Sequence, residues 1–129
     1  MNTAKALLGI VLTLGIGDVT WLSLRNDYHK KLFESIQKSK LDVRWIPAIA
    51  VYVIILVAIY LGAVRDAKSV SDAALRGMLV GVLLYAFYDL TNYATITNYT
   101  LEMTVMDITW GTVLCTAAAA TGYYFMKGV

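Results

Sequence analysis

Three carboxyl groups lie inside apolar stretches of this chain, each heading a similar tetrapeptide: Asp18-Val19-Thr20-Trp21, Asp89-Leu90-Thr91-Asn92 and Asp107-Ile108-Thr109-Trp110. A mid-span Asp is unfavourable by roughly 2.5 to 3.5 kcal/mol on insertion scales, so three of them require mutual compensation or a ligand. On a helix the position three beyond an acid shares its face, which directs Trp21, Asn92 and Trp110 into the same space as the carboxyl groups. Tyr85 and Tyr88 flank Asp89 on that face. No Lys or Arg falls within the apolar part of any segment; the nearest, Arg25, is seven positions after Asp18. Acids without a counter-charge are expected to keep a proton among them, bonded to polar neighbours, or to hold water or a cation.

Three kinds of chemistry fit those residues. Carboxyl groups lined by Trp21, Trp110, Tyr85 and Tyr88 suit a proton, a cation or a small cationic ligand, with about 0.5 to 2 kcal/mol of cation–π attraction per ring for an ammonium. Such a site serves binding or transport. A membrane enzyme working on a lipophilic substrate is a second reading, with one carboxyl protonated as acid and one ionised as base. The third is a structural or accessory subunit in which the polar groups lock the helices together. Interhelical hydrogen bonds of about 0.6 kcal/mol each return less than the acids cost, which disfavours the last.

The elements that must position these groups are helical spans. The chain has 129 residues, 59% of them hydrophobic, and a positive mean hydropathy; a soluble domain would be about half apolar. Four apolar segments, 6–24, 45–64, 77–95 and 101–126, each approach the 20 or so residues needed to cross hydrocarbon. The fold expected is all-α: an integral membrane four-helix bundle, multi-pass, as a single domain over residues 1–129. The first run is read as a span rather than a cleaved leader, because it continues past Asp18 to Leu24, about 19 residues in all, without a small-x-small cleavage pattern.

Between the first two spans, residues 25–44 carry Tyr28, Leu32, Phe33 and Ile36 at helical spacing, with lysines mostly on other faces. This predicts a short amphipathic helix on the membrane surface. Pro47 suits the first turn of helix 2, otherwise the plainest of the four, and Thr100 is the expected N-cap of helix 4 with Glu102 in its first turn. Gly9, Gly15 and Gly17 thin helix 1, Gly77 and Gly81 open helix 3, and Gly111, Cys115, Ala118 or Ala119, and Gly122 recur along helix 4. Such faces allow close packing and offer a route to a homo-oligomer. Basic residues divide five against six between the two sides, which leaves orientation open.

In an up-and-down bundle, helices 1 and 3 run together and helix 4 returns, so all three acids share one side. Counting about six residues from each helix end places them at one level, roughly 9 Å deep. His29 is expected at the surface of the basic loop. Cys115, the lone cysteine, is expected in the core, and no residue set suggests a metal or cofactor site. The lipid bilayer is the expected partner. A net charge of +2 gives no reason to invoke nucleic acid.

The run Tyr85-Ala86-Phe87-Tyr88-Asp89-Leu90-Thr91-Asn92-Tyr93-Ala94-Thr95, followed by Thr104-Val105-Met106-Asp107-Ile108-Thr109-Trp110-Gly111, resembles the four-helix membrane family known as domain of unknown function 2177. The likeness extends to Asp18, Trp21 and Leu22 and covers essentially the whole chain. It implies the fold and the importance of these positions, and it carries no activity. Two positions depart from the pattern: Ala86, where Gly is usual, and Tyr99-Thr100, where Trp-Pro is. Neither is expected to touch an acid.

Overall fold

The computed structural model describes residues 2–127. Four helices follow one another: α1, Asn2–Gln37; α2, Trp45–Ile59, ending in a widened π turn, Tyr60–Val64; α3, Val70–Thr95; and α4, Leu101–Met126. Each is long and apolar enough to cross a membrane, and the protein is an all-α, multi-pass membrane four-helix bundle.

Small side chains decide the packing. α4 lies against both α1 and α3, whereas the backbones of α1 and α3 do not approach each other among the described residues. A Cβ on Gly77 would sit 2.5 Å from the Ala119 Cβ and 2.6 Å from the Cys115 carbonyl oxygen, and one on Gly81 would sit 2.8 Å from the Gly111 carbonyl oxygen. Backbones therefore approach directly, as packing in lipid requires. On the α1 side, a Cβ on Gly9 would come within 3.2 Å of the Gly122 Cα, and one on Gly122 within 2.7 Å of Ile10. Gly9, Gly77, Gly81 and Gly122 thus seat neighbouring helices of the same chain, whereas nothing among the described residues lies within 4 Å of a Cβ on Gly15. Around them Ala6, Ile10, Leu14, Ile59, Val64, Leu114 and Cys115 form the core.

The segment 25–37 is helical, as its spacing predicts, but it is not a separate surface helix. α1 continues unbroken to Gln37, 36 residues or about 54 Å, against about 30 Å of hydrocarbon. The reason is a second, smaller core: Leu32 packs with Tyr99 and Met103, bordered by Tyr28, Phe33, Ile36 and Ile96. This overhang therefore rests on the α3–α4 turn. It ends at Lys38 in a left-handed conformation, φ 58°, with the Glu34 carboxylate accepting from the Leu41 amide at 3.1 Å.

Residues 70–76 extend α3 ahead of its apolar run. Ser69 caps it by accepting from the Asp72 amide at 3.0 Å, and Asp72 in turn accepts from the Lys68 amide and the Arg76 guanidinium. Thr100 caps α4 as expected, accepting from the Met103 amide at 3.0 Å.

Candidate functional site

The α3–α4 register delivers two of the acids to each other. Gly77 and Gly81 pack on Cys115, the Tyr85 ring lies on Gly111, and one more turn along both helices brings Asp89 to Asp107. Their carboxyl groups lie close enough to influence one another's charge. Two buried acids in such proximity are relieved when one of them keeps its proton. Asp89 is wholly buried; its Oδ1 accepts from the Tyr99 hydroxyl at 2.5 Å, and its Oδ2 has no donor. Asn92, on the same face of α3, lies near the hydroxyls of Tyr88 and Tyr99. Asp107 is half-buried.

Asp18 occupies a neighbouring position rather than the same one. Its Oδ1 accepts from Trp110 Nε1 at 3.1 Å and its Oδ2 from the Tyr52 hydroxyl at 2.5 Å. Gly17 packs on Leu114, so Asp18 lies more than one helical turn farther along α4 than Asp107. The expectation of a single level fails because α1 does not end near Leu24, and counting back from that point misplaces its acid. The Tyr85 ring, set into the gap at Gly111, stands between the two positions and feels the charge of both Asp18 and Asp107.

Aromatic groups continue outward from Asp18. Trp21 and Trp110 stack with ring centres 4.8 Å apart and planes 4° from parallel. The Arg25 guanidinium lies over both Trp21 and Tyr28, 5.7 and 4.5 Å from their ring centres, and donates to Glu102 at 3.1 Å. Arg25 therefore neutralises Glu102, and among the described residues no Lys or Arg pairs with Asp18, Asp89 or Asp107. The Tyr28 and Thr100 hydroxyls share a hydrogen bond of 2.5 Å beside this stack.

Three participants fall outside what the spacing indicated. Tyr52 comes from α2, the helix without other features. Tyr99 occupies one of the departures from the family pattern and does touch an acid, because the α3–α4 turn folds its ring back against α3 beneath Leu32. His29 is half-buried instead of lying on a surface loop, with a buried, unpartnered Nδ1 and Asp107 close enough to influence it. His29 lies beyond the apolar stretch of α1; burial holds its imidazole below the ordinary value, Asp107 pulls the other way, and Arg25 adds to the fall. It is thus a neutral neighbour near pH 7 rather than a fixed counter-charge.

The threonines of the repeated tetrapeptide have a plainer role. Thr20 and Thr109 are exposed and donate to the carbonyls of Ile16 and Val105 in their own helices, at 2.8 and 2.7 Å. They satisfy themselves in an apolar setting and do not contact an acid. Four buried side-chain atoms lack partners among the described residues: Trp21 Nε1, Arg25 Nε, His29 Nδ1 and Asp89 Oδ2. Three of the four residues lie at steps of four along α1 and the fourth is half of the acid pair, so the unsatisfied polarity gathers at this end of the bundle.

Residues 3–124 match the family model described as "Predicted membrane protein (DUF2177)", and the chain belongs to that family. No curated protein and no solved structure matches it.

Proposed function

We propose that this membrane protein takes up and releases a proton at the Asp89–Asp107 pair, in the service of transport across the bilayer. The observation that carries this reading is the state of Asp89: fully buried, fixed at one oxygen by Tyr99, and, among the described residues, unsatisfied at the other and near a second carboxyl group without a basic partner. A carboxyl pair that shares one proton satisfies the orphaned oxygen and removes a buried charge together. The enclosure of Asp89 favours an occupant the size of a proton over an organic cation. Asp107, half-buried and influenced by His29, is the member through which the proton exchanges; His29 belongs to the overhang itself, near enough to feel that carboxyl group's charge. Tyr99 holds Asp89 in place through either state, since a tyrosine hydroxyl donates to a carboxylate and accepts from a carboxylic acid equally well.

The test uses purified protein in phospholipid vesicles that contain a pH-sensitive dye. After an external acid step, wild-type vesicles are expected to equilibrate faster than protein-free ones, and Asp89→Asn and Asp107→Asn should each return the rate to the protein-free level. Infrared difference spectra across a pH step should show a carboxylic-acid carbonyl band that both substitutions diminish. If the variants fold and neither the flux nor the band changes, the proposal is wrong. Reduced folding yield with flux intact would assign the pair to the structural role.

A further inference from the structure

Asp18 is not used by the proton site, and its surroundings differ. α2 is buried chiefly at its end, through Ile59, Ala63 and Val64, while its first turns stand away from the bundle: Trp45 is 70% and Ile46 85% exposed. Between α1 and α2 this opens a groove of about 320 Å³, lined by Val11, Gly15, Trp45, Ile49, Tyr52 and Leu56. Nothing lies within 4 Å of where a Cβ on Gly15 would be, so the glycine leaves the groove open rather than seating a neighbouring helix. Asp18 follows Leu14 and Gly15 by one turn on the same face of α1, and the Tyr52 hydroxyl in the groove wall donates to it. Asp18 is not itself in the groove wall but lies beside it at Tyr52, half-buried and bonded to Tyr52 and Trp110, with the Trp21 ring stacked on Trp110.

We propose that the α1–α2 groove binds an amphiphilic cation, its hydrocarbon chain between Val11, Gly15 and Leu56 and its ammonium group against Asp18. Charge selects this occupant. A neutral lipid chain covers the apolar wall but leaves Asp18 without a positive partner, and no Lys, Arg or His pairs with it among the described residues. The two hydrogen bonds occupy one lone pair on each carboxylate oxygen and leave the others free for an ammonium donor or a quaternary centre.

The experiment titrates protein in neutral phosphatidylcholine nanodiscs with a bromine-labelled dodecyltrimethylammonium and, separately, with the chain-matched bromine-labelled alcohol, following quenching of tryptophan fluorescence. The cation should quench saturably at about tenfold lower concentration than the alcohol. Asp18→Asn should erase that difference, and Gly15→Leu, whose Cβ has open space around it and whose longer branch extends into the groove, should weaken both probes. Asp89→Asn should leave cation binding intact, separating this site from the proton site. Equal midpoints for cation and alcohol in the wild type, or unchanged cation affinity in folded Gly15→Leu, would overturn the proposal.

Discussion

At the scale of single residues, each polar group in the corner has a partner or a reason to want one, and His29 shows the difference most directly. Its imidazole is held below its ordinary value chiefly by burial. The unfolded chain therefore binds that proton more readily than the folded one, so the folded state loses stability as pH falls through the ordinary histidine range, near about 6.5. Above that range the group is neutral in both states and contributes no slope. Replacing His29 with Gln should make apparent melting in detergent less sensitive to acid: the wild type melts lower than the variant below about pH 6, and their difference is constant above about pH 7. A difference that does not vary with pH would show that His29 is solvated in the folded protein. That Asp89 meets Asp107, and Asp18 meets Trp110 beside Trp21, was legible because an acid in an apolar run needs polar company, and because a helix repeats faces at three and four positions. Tyr52 and Tyr99 were not legible. Neither stands in any spacing relation to the acid it serves, and only the tertiary fold brings them there. The single readable hint was that a tyrosine hydroxyl within a span needs an acceptor.

Among the elements, α1 is the one whose sequence misleads. Its apolar run stops before Arg25, and a criterion based on hydropathy ends the helix there, although Asp18, Trp21, Arg25, Tyr28 or His29, and Leu32 continue one face at helical spacing without a break. The period is a better guide than the hydropathy where a helix leaves hydrocarbon and remains packed. The other boundaries followed from caps and composition: Thr100 begins α4 through its hydroxyl, and the loss of apolar residues after Thr95 ends α3. Small residues were correctly read as sites of close approach, but not which helices approach, since a glycine face is the same whether its partner belongs to one chain or two. Gly81 and Gly15 separate these cases. A methyl group on Gly81 meets backbone of α4 at 2.8 and 3.0 Å and the Cys115 Cβ at 2.9 Å, so the helices must part. Gly81→Ala is expected to lower stability by about 1 to 3 kcal/mol and to draw Asp89 away from Asp107, weakening the infrared carboxylic-acid band as well. Gly15→Ala meets nothing and should hold or raise stability, by up to about 1 kcal/mol from helix propensity alone. Equal losses at both positions in thermal denaturation would show that α1 and α2 close over Gly15.

For the molecule as a whole, the overhang of α1 links the acids to the exterior. Tyr99 belongs to two groups at once: its ring packs under Leu32 in the small outer core, and its hydroxyl holds Asp89. The stack of Trp110, Trp21, Arg25 and Tyr28 runs alongside, fastened by Glu102 and Thr100. Anything that loosens the overhang should therefore be felt at the acid pair, while the main core around Ile10, Leu114 and Cys115 is too far along the helices to be disturbed. Leu32→Ala tests that partition. Truncating a buried Leu costs about 2 to 5 kcal/mol in a closed core, and a site at the edge of the bundle belongs near the lower figure. Because the small core holds only Leu32, Tyr99, Met103 and their borders, the loss should appear as local opening rather than global unfolding. Hydrogen–deuterium exchange should accelerate at amides of 25–37 and of the 96–103 turn, with residues 111–119 of α4 unchanged, and the Asp89 carbonyl band should broaden as Tyr99 becomes free to move. Uniform acceleration along the chain would mean that the overhang is part of one cooperative unit. Acceleration confined to the overhang, with the carbonyl band intact, would mean that Tyr99 holds Asp89 without help from Leu32.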